Sequence, residues 1–219
     1  MSIRKQYDSD LESLKTALVE MGQNAAEAVE NALEALCTAD TAAAQKIVQG
    51  DDRINNMERD IEHRCMTLLL PVAGDLRHIS TAMKVVTDIE RMGDHASDIA
   101  EIIPHLVTVR KEGDPAVSQA IAMGRKAYQM ILDAMDALTA EDEIAARRVI
   151  AADDAVDYDF NTIKRMLAAE IAADPAKVDA ALDLLMVIKY LERIGDHAVN
   201  VAEWVQFVRT GRYKDESMF

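Results

Sequence analysis

The sequence predicts an all-α fold of six long helices, arranged as two tandem, similar antiparallel three-helix bundles. Three observations lead there. Half of the chain is hydrophobic, but only 4% is aromatic. Ala, Leu, Ile, Val and Met dominate the apolar set, which favours helices over sheets. Gly and Pro number 8 and 4 among 219 residues, too few for many turns, so the elements must be long. Finally, ERMGDHA at 90–96 recurs as ERIGDHA at 192–198, a shift of 102 residues that leaves six of seven positions identical. Self-similarity at a fixed offset marks a duplicated structural unit.

Each element follows from its apolar spacing. Leu11, Leu14, Leu18, Met21, Ala25, Val29, Leu33 and Leu36 recur at three and four, an amphipathic helix of roughly 30 residues. Asp40 reads as the cap of the next element. Ile54, Met57, Ile61, Cys65 and Leu68 carry the second helix, which Pro71 ends and after which Gly74-Asp75 opens the third. That third helix passes through Met83, Val86, Ile89, Met92 and Ala96 to about Val109, with Pro104 a place for a kink. Asp114-Pro115 combines a cap with Pro at the first helical position. Met123, Ala127, Met130, Ala134 and Leu138 form the fourth helix, and Val156, Ile163 and Leu167 the fifth. Asp174-Pro175 repeats the cap-and-proline start, and Leu184, Ile188, Leu191 and Val199 carry the sixth helix to Trp204. The 102-residue shift also superposes Asp40 on Asp142, Asp51-Asp52 on Asp153-Asp154, Ile61 on Ile163 and Ala100-Glu101 on Ala202-Glu203. The units divide as 1–110 and 111–219.

The formal charge is −15, and no cluster of Lys and Arg interrupts it. This argues against nucleic acid and anionic membrane surfaces as partners and suits a cation or a basic protein surface. Cys37 and Cys65 lack CxxC spacing and fall in apolar helical patterns, so both are expected as reduced core residues. The opening MSIRKQYDSD lacks the apolar run of a signal peptide, and no uncharged apolar stretch reaches 18 residues. A cytoplasmic protein with no direct membrane insertion is expected.

The repeated motif places acids in a stripe. At about 100° per residue, Asp94 lies about 40°, Asp98 about 80° and Glu101 about 20° from Glu90. Glu192, Asp196, Asn200 and Glu203 repeat the stripe in the second unit. Like charges at i, i+4 weaken a helix by a few tenths of a kcal/mol per pair, so two matched ladders call for something that neutralises them. A divalent or trivalent cation with oxygen ligands would do so. Gly93 and Gly195 each cost about 1 kcal/mol relative to Ala within a helix, but they leave room for a neighbouring helix to bring its own ligands. The second helix of each unit offers Asp51 with Asn55, and Asp153 with Asp157, both spaced i, i+4. His95 and His197 lie about 100° from the aspartates before them, which suits a supporting or partner-helix contact, or an ordinary surface position, better than direct ligation. No ExxH occurs, so the ferritin-like di-iron pattern is missing.

DDRIN at 51–55, PVAGDLRHI at 71–79, DIERMGDHASDIAEI at 88–102, DDAVD at 153–157 and YLERIGDHAVNVAEW at 190–204 resemble the PhoU family over nearly the whole chain. The resemblance implies paired E(D)xxxD metal sites, with iron and zinc both known in the family; Mg and Mn suit the same oxygen donors. It assigns Asp153, Asp157, Glu192 and Asp196 to one site, and Asp51, Glu90 and Asp94 to a weaker one where Asn55 replaces an acid. Asp98, opposite Asn200 in the repeat, partly restores that charge. The resemblance further implies a homodimeric, non-enzymatic cytoplasmic adaptor between the ATPase subunit of the phosphate ABC transporter and a sensor histidine kinase, repressing the phosphate-starvation response.

Two other functions fit the same acids. A metal-dependent hydrolase or oxidase would use the clustered carboxylates, but needs an open coordination position, a base and a substrate pocket. A purely structural helical scaffold would leave the acids solvated.

Overall fold

The computed structural model describes residues 3–69, 76–110, 113–213 and 216–217. Seven α-helices build the expected six-helix plan: α1 (Ile3–Thr38), α2 (Thr41–Gly50), α3 (Asp52–Leu69), α4 (Leu76–Val109), α5 (Pro115–Ala140), α6 (Glu143–Ala173) and α7 (Val178–Thr210). A 3-10 turn at Pro175–Lys177 leads into α7. Beyond α7, Arg212–Tyr213 (β1) and Glu216–Ser217 (β2) pair as a two-residue antiparallel ribbon that the sequence pattern does not announce.

The expected second helix is divided into α2 and α3. Asp51 stands between them with helical dihedrals, and its carbonyl accepts from the N–H groups of Ile54 and Asn55. In the second unit α6 runs unbroken through the same place, where Ala152 replaces Gly50. Alanine retains the helix that glycine weakens. The helix end at Pro71 and the start at Gly74-Asp75 lie outside the described residues. Pro104 sits inside α4, which continues to Val109, and α7 extends past Trp204 to Thr210.

The duplication is visible in the turns. Asp40 and Asp142 cap α2 and α6 with nearly the same dihedrals, each carboxylate accepting from the second and third N–H groups that follow. Just before them, Ala39 and Glu141 both take positive φ, at 55° and 50°. The N–H groups of Asp40 and Asp142 then close on Ala35 O and Ala137 O, each at 3.0 Å. Asp114 and Asp174 cap the proline starts as expected.

Helix α1 packs on α2, α3 and α4, helix α7 packs on α5 and α6, and the units meet chiefly where α4 packs on α7. Helix α1 also packs on α5, so all helices share one continuous hydrophobic core. Cys65 is buried in it, and burial pushes its thiol up to about 11. Cys37 is exposed, contrary to the core position expected from its surroundings. It lies in the last turn of α1, one residue past the buried Leu36, on the solvent side.

A methyl group added at Gly50 meets nothing within 4 Å. Gly50→Ala should therefore raise the unfolding free energy by about 0.5–1 kcal/mol, read as a higher urea midpoint. An unchanged midpoint would show that glycine is not what divides α2 from α3.

Candidate functional site

Two acid clusters form where α3 faces α4 and where α6 faces α7. Each is built at a glycine. A Cβ on Gly195 would lie 3.1 Å from Asp153 Oδ1 and 3.6 Å from Val156 Cγ1. A Cβ on Gly93 would lie 2.7 Å from Ile54 Cδ1, and Ile54 is the repeat equivalent of Val156. The two helices therefore approach more closely than a residue with a Cβ would comfortably allow, as expected from the place of these glycines between the acids.

In the first cluster Asp51 Oδ2 accepts from Asn55 Nδ2 at 3.1 Å. Burial, then the Asp94, Asp52 and Asp98 carboxylates, raise Asp51 above its ordinary range, while the Asn55 hydrogen bond works against them. Glu90 is pushed up to about 7 by burial, then by Asp94 and Glu58. Asp94 turns to Arg91, whose Nη1 donates to Oδ2 at 2.8 Å. A broad groove of about 820 Å³ between α1 and the α2–α3 segment has Asp51 and Gly93 on its wall, which opens this cluster to solvent.

In the second cluster Asp153 is pushed up to about 6 by burial, followed by Asp157, Asp196 and Glu192. Partial loss of hydration and then Glu192 raise Asp196. Lys189 pairs with Glu192 Oε2 and lies 5.5 Å from the centre of the Phe160 ring. The two clusters are thus balanced by Arg91 and Lys189, each three residues from the acid it neutralises.

Three buried oxygens of these clusters remain without a hydrogen bond: Asn55 Oδ1, Asp153 Oδ1 and Glu90 Oε2, the last of them 3.4 Å from Arg91 Nε. Buried polar atoms rarely stay unsatisfied, and three neutral or anionic oxygens in two acidic clusters suit a cation. Among the described residues, however, no group of three or more His, Cys, Asp or Glu side chains stands in a geometry that could hold a metal ion. The donor chemistry fits; the side-chain placement does not, because Asp94 and Glu192 are turned toward their cations and Asn55 toward Asp51.

Asp98 and Asn200 face the α4–α7 seam. Asp98 Oδ2 lies 3.3 Å from His95 Nδ1. Asn200 Nδ2 donates to Asp88 Oδ1 at 2.9 Å, and His197 Nδ1 lies 2.8 Å from the same oxygen. His197 is thus a partner-helix contact. The rings of His95 and His197 stand 5.6 Å apart, and His95 stacks on Tyr190 at 5.4 Å. Burial, outweighing the Asp98 hydrogen bond, lowers His95.

Sequence reasoning missed Asp88, Glu58 and Lys189. Glu58 was legible, since it continues the stripe of Asp51 and Asn55 at spacing three. So was Lys189, three residues before Glu192. Asp88 had a subtler signal. It differs from its repeat equivalent, Tyr190, as Asp98 differs from Asn200. These two disagreements between the repeats fall where α4 and α7 meet across the seam.

The PhoU domain family matches residues 18–103 and again residues 121–205. The chain belongs to the PhoU family. A Clostridium acetobutylicum protein named as a phosphate-specific transport system accessory protein PhoU homolog is 39% identical over 216 residues, spanning 97% of this chain and 98% of its own. A Pseudomonas aeruginosa protein of the same description is 34% identical, over 95% and 87% of the two chains. The crystal structure of PhoU from Pseudomonas aeruginosa superposes with a TM-score of 0.88 at 34% identity, covering 94% of this chain and all of the other. That of the phosphate transport system regulatory protein PhoU from Streptococcus pneumoniae gives 0.87 at 28% identity, covering 96% and all.

The raised carboxyls carry a pH signature. Glu90 and Asp153 rise from ordinary values of 4.5 and 3.8 to about 7 and about 6. A carboxyl raised on folding stabilises below its unfolded value and loses that contribution as pH rises through the folded one. Glu90→Gln should therefore raise the melting temperature of metal-free protein more at pH 8 than at pH 5. An equal gain at both pH values would show that Glu90 ionises as an ordinary surface acid.

Proposed function

We propose that this chain is a non-enzymatic accessory protein of a phosphate transport system and a negative regulator of the phosphate-starvation response. It acts in the cytoplasm, as a homodimer, between the ATPase subunit of the phosphate ABC transporter and a sensor histidine kinase. The observation that carries this reading is the likeness, over nearly its whole length, to relatives named for phosphate-specific transport. No described helix is long and apolar enough to cross a membrane, so contact with a transporter would be made through an exposed face. A net charge of −15 favours basic partner surfaces.

Deleting the chain in its host should raise expression of phosphate-starvation genes in phosphate-rich medium. The tagged protein should also retain the transporter ATPase from extracts, with retention that depends on phosphate. A deletion strain with an unaltered starvation response would sink the regulatory reading, and turnover of a phosphate ester by purified protein would favour an enzyme instead.

The same proposal includes a metal. Asp153, Asp157, Glu192 and Asp196 hold the stronger site, and Asp51, Asn55, Glu90 and Asp94 the weaker one. A divalent or trivalent ion such as Fe, Zn, Mg or Mn would supply fixed positive charge to both clusters. Its arrival requires Glu192 to leave Lys189 and Asp94 to leave Arg91. What supports this is the set of unsatisfied oxygens, together with the burial and mutual repulsion that raise Glu90 and Asp153.

Calorimetric titration with Zn²⁺ or Mn²⁺ should show binding that Glu192→Gln with Asp196→Asn removes at the stronger site. That double variant should melt at the same temperature as the metal-free wild type or above it, since neutral amides relieve repulsion. Unchanged affinity would show that the acids are only a solvated face. Gly195→Leu should also remove binding, because its Cβ alone crowds Asp153 Oδ1. Retained affinity there would remove the close helix approach from the account.

A further inference from the structure

The groove of about 820 Å³ between α1 and the α2–α3 segment follows α1 from Asn24 to Thr38. That stretch spans about 21 Å, or about four helical turns. Its apolar floor is shallow, made by Ala28, Ala35, Ala43, Ile47 and Ile54. The two walls carry opposite charge. Glu27 and Glu34 stand seven residues apart on α1, as do Lys46 and Arg53 across α2 and α3. All four are exposed, and among the described residues none of their side chains has an ion-pair partner. Asp40 and Asp51, on the α2–α3 side, are engaged by the α2 cap and by Asn55. Between Thr16 and Gln45 the chain holds Glu20, Glu27, Glu30, Glu34 and Asp40 but no Lys or Arg, so the α1 wall has no local counter-charge.

The second repeat closes the equivalent place. Met130 stands where the first repeat has Ala28, and its methyl would lie 3.7 Å from a Cβ on Gly195. At Gly93 the three nearest atoms all belong to Ile54. Lys126 stands where the first repeat has Asn24, and its Nζ reaches from α5 to Asp159 Oδ2 of α6 at 2.7 Å. The opening is therefore a property of the first repeat's side chains and not of the three-helix plan.

We propose that this groove docks a helical segment of a partner protein. The segment carries Lys or Arg along the edge that meets Glu27 and Glu34. It carries Asp or Glu along the edge that meets Lys46 and Arg53, and leucine-sized apolar side chains between. An amphipathic helix laid in a groove is a common recognition mode, and the alanines of the floor leave space for larger residues from the partner. Walls of opposite sign also set direction, since a reversed segment would place like charges on both sides. A nucleic acid would be repelled by the α1 wall. The proposal rests on the adaptor reading above, and it supplies the chemistry of one surface that an adaptor must offer.

The probe is a fluorescent synthetic helix of about 15 residues, with leucines on one face, lysines along one edge and glutamates along the other. Anisotropy with the full-length protein should show saturable binding. Ala28→Met, which copies the second repeat, should abolish it. Glu27→Lys with Glu34→Lys should weaken it about five- to tenfold, the worth of two exposed ion pairs. Adding Lys46→Glu and Arg53→Glu should restore affinity, because the helix then lies reversed. These charge variants alter only exposed side chains, so they decide the matter even where Ala28→Met lowers the melting temperature. No saturable binding in wild type overturns the proposal, as does equal affinity in a folded Ala28→Met or a fourfold exchange that regains nothing. The purified transporter ATPase and the cytoplasmic part of the kinase are then offered to wild type and Ala28→Met, and the variant should lose one of them. A wild type that retains neither overturns the adaptor reading, and the peptide result alone then decides the groove. A variant that keeps both as wild type does overturns the groove and leaves the adaptor reading standing.

Discussion

The close approach of paired helices at Gly93 and Gly195 is the constraint on which the candidate site depends. Without a Cβ there, Ile54 and Val156 pack directly over the glycines, and the acids flanking each glycine are drawn toward those on the facing helix. Packing thereby forces like charges together. The energy of core contact outweighs a repulsion that burial strengthens, because burial removes the water that would screen it. The result is a pair of carboxyls, Glu90 and Asp153, that hold protons far above the ordinary range.

The two clusters are related by duplication but are not copies. In the first, Glu58 adds an acid on α3, and Asn55 removes one. In the second, Phe160 stands where Glu58 would be, and Lys189 lies over its ring while pairing with Glu192. One cluster thus opens onto a groove, while the other is flanked by an aromatic ring and a cation held in place. Equivalent positions have diverged because each cluster has its own neighbours, while the caps at Asp40 and Asp142, whose surroundings are local, have stayed nearly superposable.

The seam between the repeats follows the same logic. Asp88, His197 and Asn200 form one half of it, and Tyr190, His95 and Asp98 the other. The 102-residue shift maps each half onto the other. Had both repeats carried aspartate at both of these places, carboxylate would face carboxylate across the seam. The substitutions that broke the symmetry instead set the Asn200 amide against the Asp88 carboxylate, and the Tyr190 ring against His95.

The sequence by itself determined the helical class, the six-part plan, the duplication, the caps and the residues of the acid stripes. These are set by spacing and by local hydrogen bonding, which a single chain segment carries whole. The burial pattern of α4 and α7 follows the apolar periodicity for the same reason. Tertiary structure alone decided the rest. Cys37 faces solvent because it lies on the outer side of α1's last turn, whose inner side buries Ala35 and Leu36, a distinction the apolar residues around it could not reveal. Asn200 serves Asp88 rather than its own stripe because the nearest polar group lies on another helix, 112 residues away in the chain. Thr81 is buried where α1, α4, α5 and α7 meet, and its hydroxyl has no hydrogen-bond partner there. Charge and periodicity are written along the chain, but which acid meets which cation, and which hydroxyl loses its water, depends on segments brought together from opposite ends of it.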